Sequence, residues 1–390
     1  MMTSNSASRS SRNVARELAF DGRLKVRWRP RLDNPPQPLP AGIDLADKVE
    51  GMMLGLAIGD ALGNTSEAIN PADRLTMFGR IDCYLPNRFA GGKAVGVPSD
   101  DSQLAFRTLA HLVQQGWLAP SLLGDALADG QIYGIGQATR QWLQSRREGK
   151  PWHQAGTPSA GNGALMRIAP VVIPHLMQPG PDLWSDALLA AHVTHDDELS
   201  NLGCVAMVDL LWTSIGTPSG GAMPAWLERS LDTFDDLGTG STYAARNGHP
   251  PGFNGSIGQL LRQYVKPALQ RKLDVATAGN IWHSGAYLLE TVPSVLYILE
   301  RYGHDPREAI LQAVNHTRDN DTVAAIVGAA VGALHGASAL PPAWIDNLSG
   351  RTAEADEGRM FALLAAAGER FGHGTTPRLR DLARRHGGAA

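Results

Sequence analysis

The stretch "ADKVEGMMLGLAIGDALG", residues 46–63, places Gly51, Gly55 and Gly59 at i, i+4 and i+8, one bare stripe down an apolar helix. Glycine costs a helix interior about 1 kcal/mol relative to alanine. A repeated stripe of it belongs where another backbone or a ligand comes close. Residues 323–335, "VAAIVGAAVGALH", are small or apolar almost all round. That pattern marks a buried central helix.

Other segments carry the same helical signature. After Asp101, residues Ala105, Leu109, Leu112 and Val113 follow the spacing of an amphipathic helix. "HDPREAILQAV" opens with Asp305 as N-cap, Pro306 at the first helical position and Glu308 at the third, a capping-box pattern. Outside the N-terminal arm no alternating strand and no βαβ rhythm occurs, which excludes a Rossmann-type architecture. The Gly/Pro/Ser-rich stretches around 214–224 and 237–256 read as long surface loops of the kind that border binding sites. The expectation is an all-α body over 44–390, preceded by an arm and Pro-rich linker over 1–43.

Hydrophobic residues make up 43% of the chain and charged residues 19%, enough for a sizeable core and too few charges for a disordered protein. The net charge of -3 points to neither nucleic acid nor a membrane surface. No apolar run reaches the roughly 20 residues of a membrane span. Two cysteines, Cys83 and Cys204, make no disulfide framework and fit a reducing, cytoplasmic setting. Residues 1–40 stand apart, with eight basic residues against three acidic ones. Within them "GRLKVRWRP" alternates like a strand, and "DNPPQPLPAG" reads as a linker.

Two acidic motifs carry the chemistry. "VPSDDSQLAF" sets Ser99, Asp100, Asp101 and Ser102 before one helix, and "RDNDTV" sets Asp319, Asp321 and Thr322 before another. Taken singly, each is an ordinary helix N-terminus. An EF-hand is excluded because Val323 and Ala324 stand where a ligand and a glycine are needed. A dehalogenase-type phosphatase motif would follow a buried strand near the start of a chain; here helical "AILQAVNHTR" precedes it. Taken together, the motifs offer three or four carboxylates without Lys or Arg partners, which repel unless a cation neutralises them. All-oxygen ligands suit Mg²⁺, Mn²⁺ or Ca²⁺ rather than zinc. "YGIGQATR" (Gly134, Gly136) and "SAGNGALMR" (Ser159, Gly161, Asn162, Gly163) supply glycines where backbone can approach a diphosphate. Asp196, Asp197 and Glu198 read as a solvated helix start.

In order and spacing these motifs resemble the ADP-ribosylglycohydrolase family over roughly residues 48–340. "GLAIGDALGNTSE" is similar to its opening helix, ending in Glu67. "PSDDSQLA" is similar to its T-D-D-T-Q motif, with serines for both threonines, and "VTHDD" to its Thr-His element. "DNDTVAAIVGAAVGALHG" is similar to its D-x-D-T helix. The resemblance implies a compact orthogonal bundle of helices and two Mg²⁺ or Mn²⁺ ions held by Ser99, Asp100, Asp101, Asp319, Asp321 and Thr322. It implies Glu67 beside the metals or the ribose and His195 near the ribose or a metal-bound water. Cleaving a ribose–nitrogen bond further calls for a carboxylate to take a water's proton, Asp100 or Asp101 acting with Glu67. The activity implied is removal of ADP-ribose from a modified protein side chain, arginine above all. Members of the family differ between arginine-, serine- and acetyl-linked ADP-ribose, and some act as immunity proteins against ADP-ribosylating toxins. A second reading therefore gives residues 1–40, with Trp28 between Arg27 and Arg29, the task of blocking a cognate ADP-ribosyltransferase.

Overall fold

The computed structural model describes residues 10–218, 220–353 and 356–386. Among them the chain forms twenty α-helical segments and one two-stranded antiparallel sheet. The sheet pairs β1 (Tyr243–Ala244) with β2 (Asn254–Gly255), Tyr243 opposite Gly255 and Ala244 opposite Asn254. The fold is all-α, as expected. Its core and site rest on α1 (Ser11–Phe20), α2 (Leu45–Gly63), α3 (Asp100–Gln115), α4 (Asp182–His192), α5 (Glu198–Ile215), α6 (Leu288–Tyr302), α7 (Pro306–His316) and α8 (Asn320–His335). No helix of the described residues is long and apolar enough to cross a membrane.

The glycine stripe explains the centre of the molecule. Helices α2 and α8 run antiparallel with their backbones in contact. Gly51 faces Gly332, Gly55 faces Gly328, Gly59 faces Ala324, and Gly63 faces Asp321. A Cβ placed at any of these four α2 glycines would lie less than 3.0 Å from α8 main-chain atoms. The second helix the stripe requires is thus the small-residue helix, buried from Asn320 to Leu334. The other elements wrap this pair. At α7 the Asp305 carboxylate accepts from Glu308 N at 3.0 Å with Pro306 in the first turn, but the capping box is not closed, because the Glu308 carboxylate accepts from Gln312 Nε2 at 2.7 Å and from Arg80.

Residues 10–40 are part of the body. Arg9, one of the eight basic residues of the arm, lies outside the described residues. Ser10 Oγ donates to Asp182 at 2.6 Å, which seats α1 on α4. The alternation in "GRLKVRWRP" is real in burial: Leu24 and Val26 are buried and Trp28 half-buried, while Lys25, Arg27 and Arg29 are exposed. The segment is nonetheless not a strand. It crosses helix ends, with Arg27 N donating to Leu237 O at 2.8 Å, and pairs with no strand among the described residues. Trp28 donates to Asp33 at 3.1 Å within its own segment. The linker is tied down as well, since Trp184 and Trp212 donate to the carbonyls of Asn34 and Gln37, each at 2.8 Å.

Two substitutions test this account. Gly55→Ala improves helix propensity by about 1 kcal/mol yet drives a methyl into the α8 backbone. Chemical denaturation is expected to show a net loss of about 2 kcal/mol or more. Deleting residues 1–38 strips Ala15, Leu18, Leu24, Val26 and Leu32 from the core. It is expected to lower the thermal midpoint by more than about 5 °C, whereas a passive tail would leave the midpoint unchanged.

Candidate active site

The site is built around an acid buried in α2. Asp60 follows the last glycine of the stripe and is fully buried. Its carboxylate accepts from Asn64 Nδ2 at 3.0 Å, Ser99 Oγ at 2.6 Å, Ser102 Oγ at 2.5 Å, Ser99 N at 2.9 Å and Ser102 N at 3.1 Å. Asp60 therefore caps α3 from a neighbouring helix. Ser99, the residue before α3, makes no side-chain cap to its own helix. The first-turn acids Asp100 and Asp101 are thereby left to face a cavity.

The mouth of α8 is arranged in the same way. Asp319 precedes the helix and its side chain caps none of its N–H groups. It accepts instead from Asn162 Nδ2 at 2.6 Å. Thr322 Oγ1 donates to Asp101 Oδ2 at 3.3 Å, which links the two acidic motifs directly. Buried Arg74 ties the turn after Glu67 to the chain that leads into α8. It donates to the carbonyls of Val314 at 2.9 Å, Thr317 at 2.8 Å and Ile69 at 2.8 Å. Its charge is spent on carbonyls, and among the described residues no Lys or Arg makes a salt bridge to the carboxylates of Asp60, Glu67, Asp100, Asp101, Asp319 or Asp321.

These groups open into a cavity of about 500 Å³. Its floor is Asp100, Asp101, Asp319, Asp321 and Thr322, exposed Glu67 stands at its edge, and its walls include the two glycine-rich loops. Gly134, at φ 85°, presses its backbone onto Asp100: an added Cβ would lie 2.6 Å from Oδ1. Gly161 pairs with Tyr287 in an antiparallel bridge, and Asn162 N donates to Ala286 O at 3.1 Å. The Tyr287 ring lines the same wall. His195 is buried beside Gly161 and Gly163. The turn beyond β1 brings Arg246 and Asn247 over this wall. Arg246 lies 3.9 Å from the Tyr287 ring centroid, and Asn247 Nδ2 is 3.5 Å from Glu290 Oε1. A hollow of about 630 Å³, over Arg107 and His111, gathers no comparable carboxylate group among the described residues.

Electrostatics single out the acidic floor. Burial, followed by the Asp321 charge, pushes Asp101 well above the carboxylate range. Burial, followed by Asp60 and Glu67, does the same to Asp100, and burial with Asp319 does so to Asp321. Asp319 is pushed up to about 7, chiefly by burial. Glu67, although its side chain is open to solvent, is raised by desolvation against the site and by Asp60. Single oxygens of Asp60, Asp101 and Asp321 lie within 4.8 Å of one another, as do those of Glu67, Asp319 and Asp321. Asp101 Oδ1 is buried without a partner. Asp60 already accepts from five donors, so Asp101 and Asp321 are the better-placed donors to a cation in the first group. An orphaned carboxylate oxygen inside an all-oxygen cluster fits a hard divalent ion.

The ADP-ribosylglycohydrolase family model matches residues 41–373. The chain belongs to the ADP-ribosylglycohydrolase family. It is 29% identical over 321 residues to ADP-ribosylarginine hydrolase Tri1 of Pseudomonas putida (strain GB-1), covering 78% of this chain and 74% of that protein. It is 24% identical over 338 residues to the ADP-ribosyl-[dinitrogen reductase] glycohydrolase of Rhodospirillum rubrum, covering 84% and 99%. A solved structure titled "ADP-ribosylglycohydrolase-related protein complex" superposes with a TM-score of 0.60 at 27% identity, covering 84% of this chain and 99% of that one. The family makes this chain a hydrolase, with ADP-ribose removal as its chemistry.

Within this glycohydrolase cavity the structure gathers Glu67, Asp100, Asp101, Gly134, Gly136, Ser159, Gly161, Asn162, Gly163, His195, Asp319, Asp321 and Thr322. Ser99 lies behind the wall, its hydroxyl on Asp60. Glu198 is not solvated: it is buried and accepts from Thr239 N at 2.9 Å and Ser241 Oγ at 2.6 Å. Asp197 caps α5 through Leu199 N at 2.9 Å. Sequence reasoning missed Asp60, Arg246, Tyr287 and Glu290. A lone acid inside "GLAIGDALG" was the available signal for Asp60.

A carboxyl whose pKa is raised by folding binds its proton more tightly in the native state. Its stabilising contribution is present below the ordinary value near about 4 and is lost as pH rises through the folded value. The metal-free chain is therefore expected to melt lower at pH 8 than at pH 5. Mg²⁺ or Mn²⁺ competes with those protons, so either ion should raise the midpoint more at pH 8. Differential scanning fluorimetry with and without EDTA reads this, and equal metal shifts at both pH values would place the ions elsewhere.

Proposed function

We propose that this glycohydrolase is a divalent-metal-dependent enzyme that releases ADP-ribose from modified arginine side chains of proteins. The observation that carries the reading is the single cavity in which an acidic floor meets two glycine-rich loops. An ADP-ribosyl group needs both: cations or hydrogen-bond partners for its ribose hydroxyls, and backbone N–H groups for its diphosphate. Arginine is supported by the wall at Tyr287. That ring already carries the guanidinium of Arg246 at 3.9 Å, with the buried carboxylate of Glu290 nearby. Two relatives, from Pseudomonas putida and Serratia proteamaculans, bear the name ADP-ribosylarginine hydrolase.

Cleavage of the ribose–nitrogen bond passes through an oxocarbenium-like state, which calls for negative charge near C1 and a water stripped of its proton. Asp100, Asp101 and Glu67 provide that field and the proton acceptor. Asp101, Asp319, Asp321, Thr322 and Glu67 would hold Mg²⁺ or Mn²⁺, with Asp321 common to both carboxylate groups; Ser99 can add a lone pair while its proton stays on Asp60. Bound metal supplies Lewis acidity and lowers the pKa of a water. Asn162 steadies Asp319, and Gly134 holds the loop against Asp100. The alternative, a free arm plugging a transferase, has little to stand on, because residues 10–40 are packed into the body.

Release of ADP-ribose from an ADP-ribosylated arginine protein should require Mg²⁺ or Mn²⁺ and stop with EDTA. Asp100→Asn and Asp321→Ala should each lower the rate by about 100-fold or more while leaving circular dichroism unchanged. A serine-linked substrate is expected to turn over more slowly. Full activity in EDTA would sink the metal mechanism, and a preference for the serine linkage would sink the arginine assignment.

A further inference from the structure

His195 presents one ring nitrogen to the cavity and turns the other away from it. An added Cβ on Gly163 would lie 3.4 Å from Nε2, so that edge faces the glycine-rich loop. Among the described residues Nε2 makes no hydrogen bond. Nδ1 lies 2.9 Å from Thr194 Oγ1. Thr194 Oγ1 in turn accepts from Nη2 of Arg167 at 2.7 Å, and Nη2 also donates to Ala190 O at 2.8 Å. Arg167 is fully buried and makes no salt bridge among the described residues.

The direction of this chain follows from the donor inventory. A guanidinium only donates, so the Thr194 oxygen accepts from it. The Thr194 proton then has two acceptors within reach: Nδ1 of His195 at 2.9 Å, and Ala191 O at a long 3.5 Å. The nearby positive charge polarises the hydroxyl and opposes a proton on Nδ1. Nδ1 is therefore the acceptor, and the neutral ring carries its hydrogen on Nε2.

We propose that Arg167 and Thr194 are positioning residues that fix the tautomer of His195, making Nε2–H a permanent donor to an acceptor oxygen of the bound ADP-ribosyl group. The ligand half of this statement rests on the cavity being an ADP-ribosyl site. Burial and the Arg167 charge hold the imidazole down to about 3, which keeps it neutral. His195 thus binds rather than shuttles protons. Backbone bonds set the same turn: Thr157 N donates to Thr194 O at 2.9 Å, and Asp196 N to Thr157 O at 2.8 Å.

The test uses the full chain labelled with ¹⁵N-histidine, with His195→Ala to assign the resonance. Long-range ¹H–¹⁵N correlation is expected to show the Nε2–H pattern for His195 in the wild type. Thr194→Val should disturb that pattern and weaken ADP-ribose binding, read by calorimetry, by about tenfold. Thr194→Ser should keep both. His195→Ala should lose a similar factor, with little further loss in the double variant. An Nδ1–H pattern in the wild type, or a Thr194→Val protein with unchanged tautomer and affinity, overturns the proposal. A wild type with the Nε2–H pattern that binds no ADP-ribose overturns the functional reading, and the ligand assigned to this donor falls with it.

Discussion

Contact between the α2 and α8 backbones is the constraint from which the site follows. Side chains normally hold two helix axes 8–10 Å apart. Here glycine meets glycine or alanine along the length of the pair, so main chain rests on main chain. The contact ends where Gly63 meets Asp321. The last turn of α2 therefore delivers Asp60 beside the first turn of α8, and neither can slide without collision along the whole interface. A loop-borne pair of carboxylates would relax apart under mutual repulsion; this pair is held by a packed core.

Holding acids together in this way costs stability, and the structure shows where the cost is offset. Asp60 is satisfied by five donors from Asn64, Ser99 and Ser102, and so joins α2 to α3 as a buried cap. Asn320 Nδ2 donates to Gly63 O and Ser66 Oγ, each at 3.1 Å, and so joins α8 to the turn that carries Glu67. Arg74 gathers the carbonyls of Ile69, Val314 and Thr317. These contacts fix the frame, which leaves Asp100, Asp101, Asp319 and Asp321 facing the cavity, with Asp101 Oδ1 unpartnered among the described residues. Division of labour between framing acids and cavity-facing acids is what lets one cavity present so many carboxylates.

How much of this was legible depended on the range of each interaction. Helix spacing, N-caps and the two acidic motifs are local patterns, and all were readable. The glycine stripe announced a close neighbour, and the small-residue helix announced burial, yet nothing local says that one is the partner of the other. Asp60 escaped because its role is defined by Ser99 and Ser102, some forty residues on. Tyr287, Glu290 and Arg246 escaped because their wall is assembled from α6 and the turn beyond β1. "GRLKVRWRP" shows the converse error. Its period of two was a true burial pattern, but a sheet also needs a partner strand, which lies beyond the reach of periodicity.

The cavity also solves an electrostatic conflict. On the proposed reading its floor attracts cations, while its ligand brings a negatively charged diphosphate into the same 500 Å³. Lysines on the wall would serve the diphosphate but would pair with the acids below and quench them. The chain instead lines the route with glycine-rich backbone, whose N–H dipoles attract phosphate without carrying a net charge. Arg246, the one Lys or Arg among the lining residues, sits on the Tyr287 ring, on the wall rather than the floor. His195 fits the same logic. Kept neutral by burial and by Arg167, it offers a hydrogen bond without adding a charge that the acids would capture. Walls that are mostly uncharged, Arg246 and Glu290 apart, above a floor of carboxylates are the arrangement by which, on the proposed reading, metal, sugar and diphosphate share one cleft.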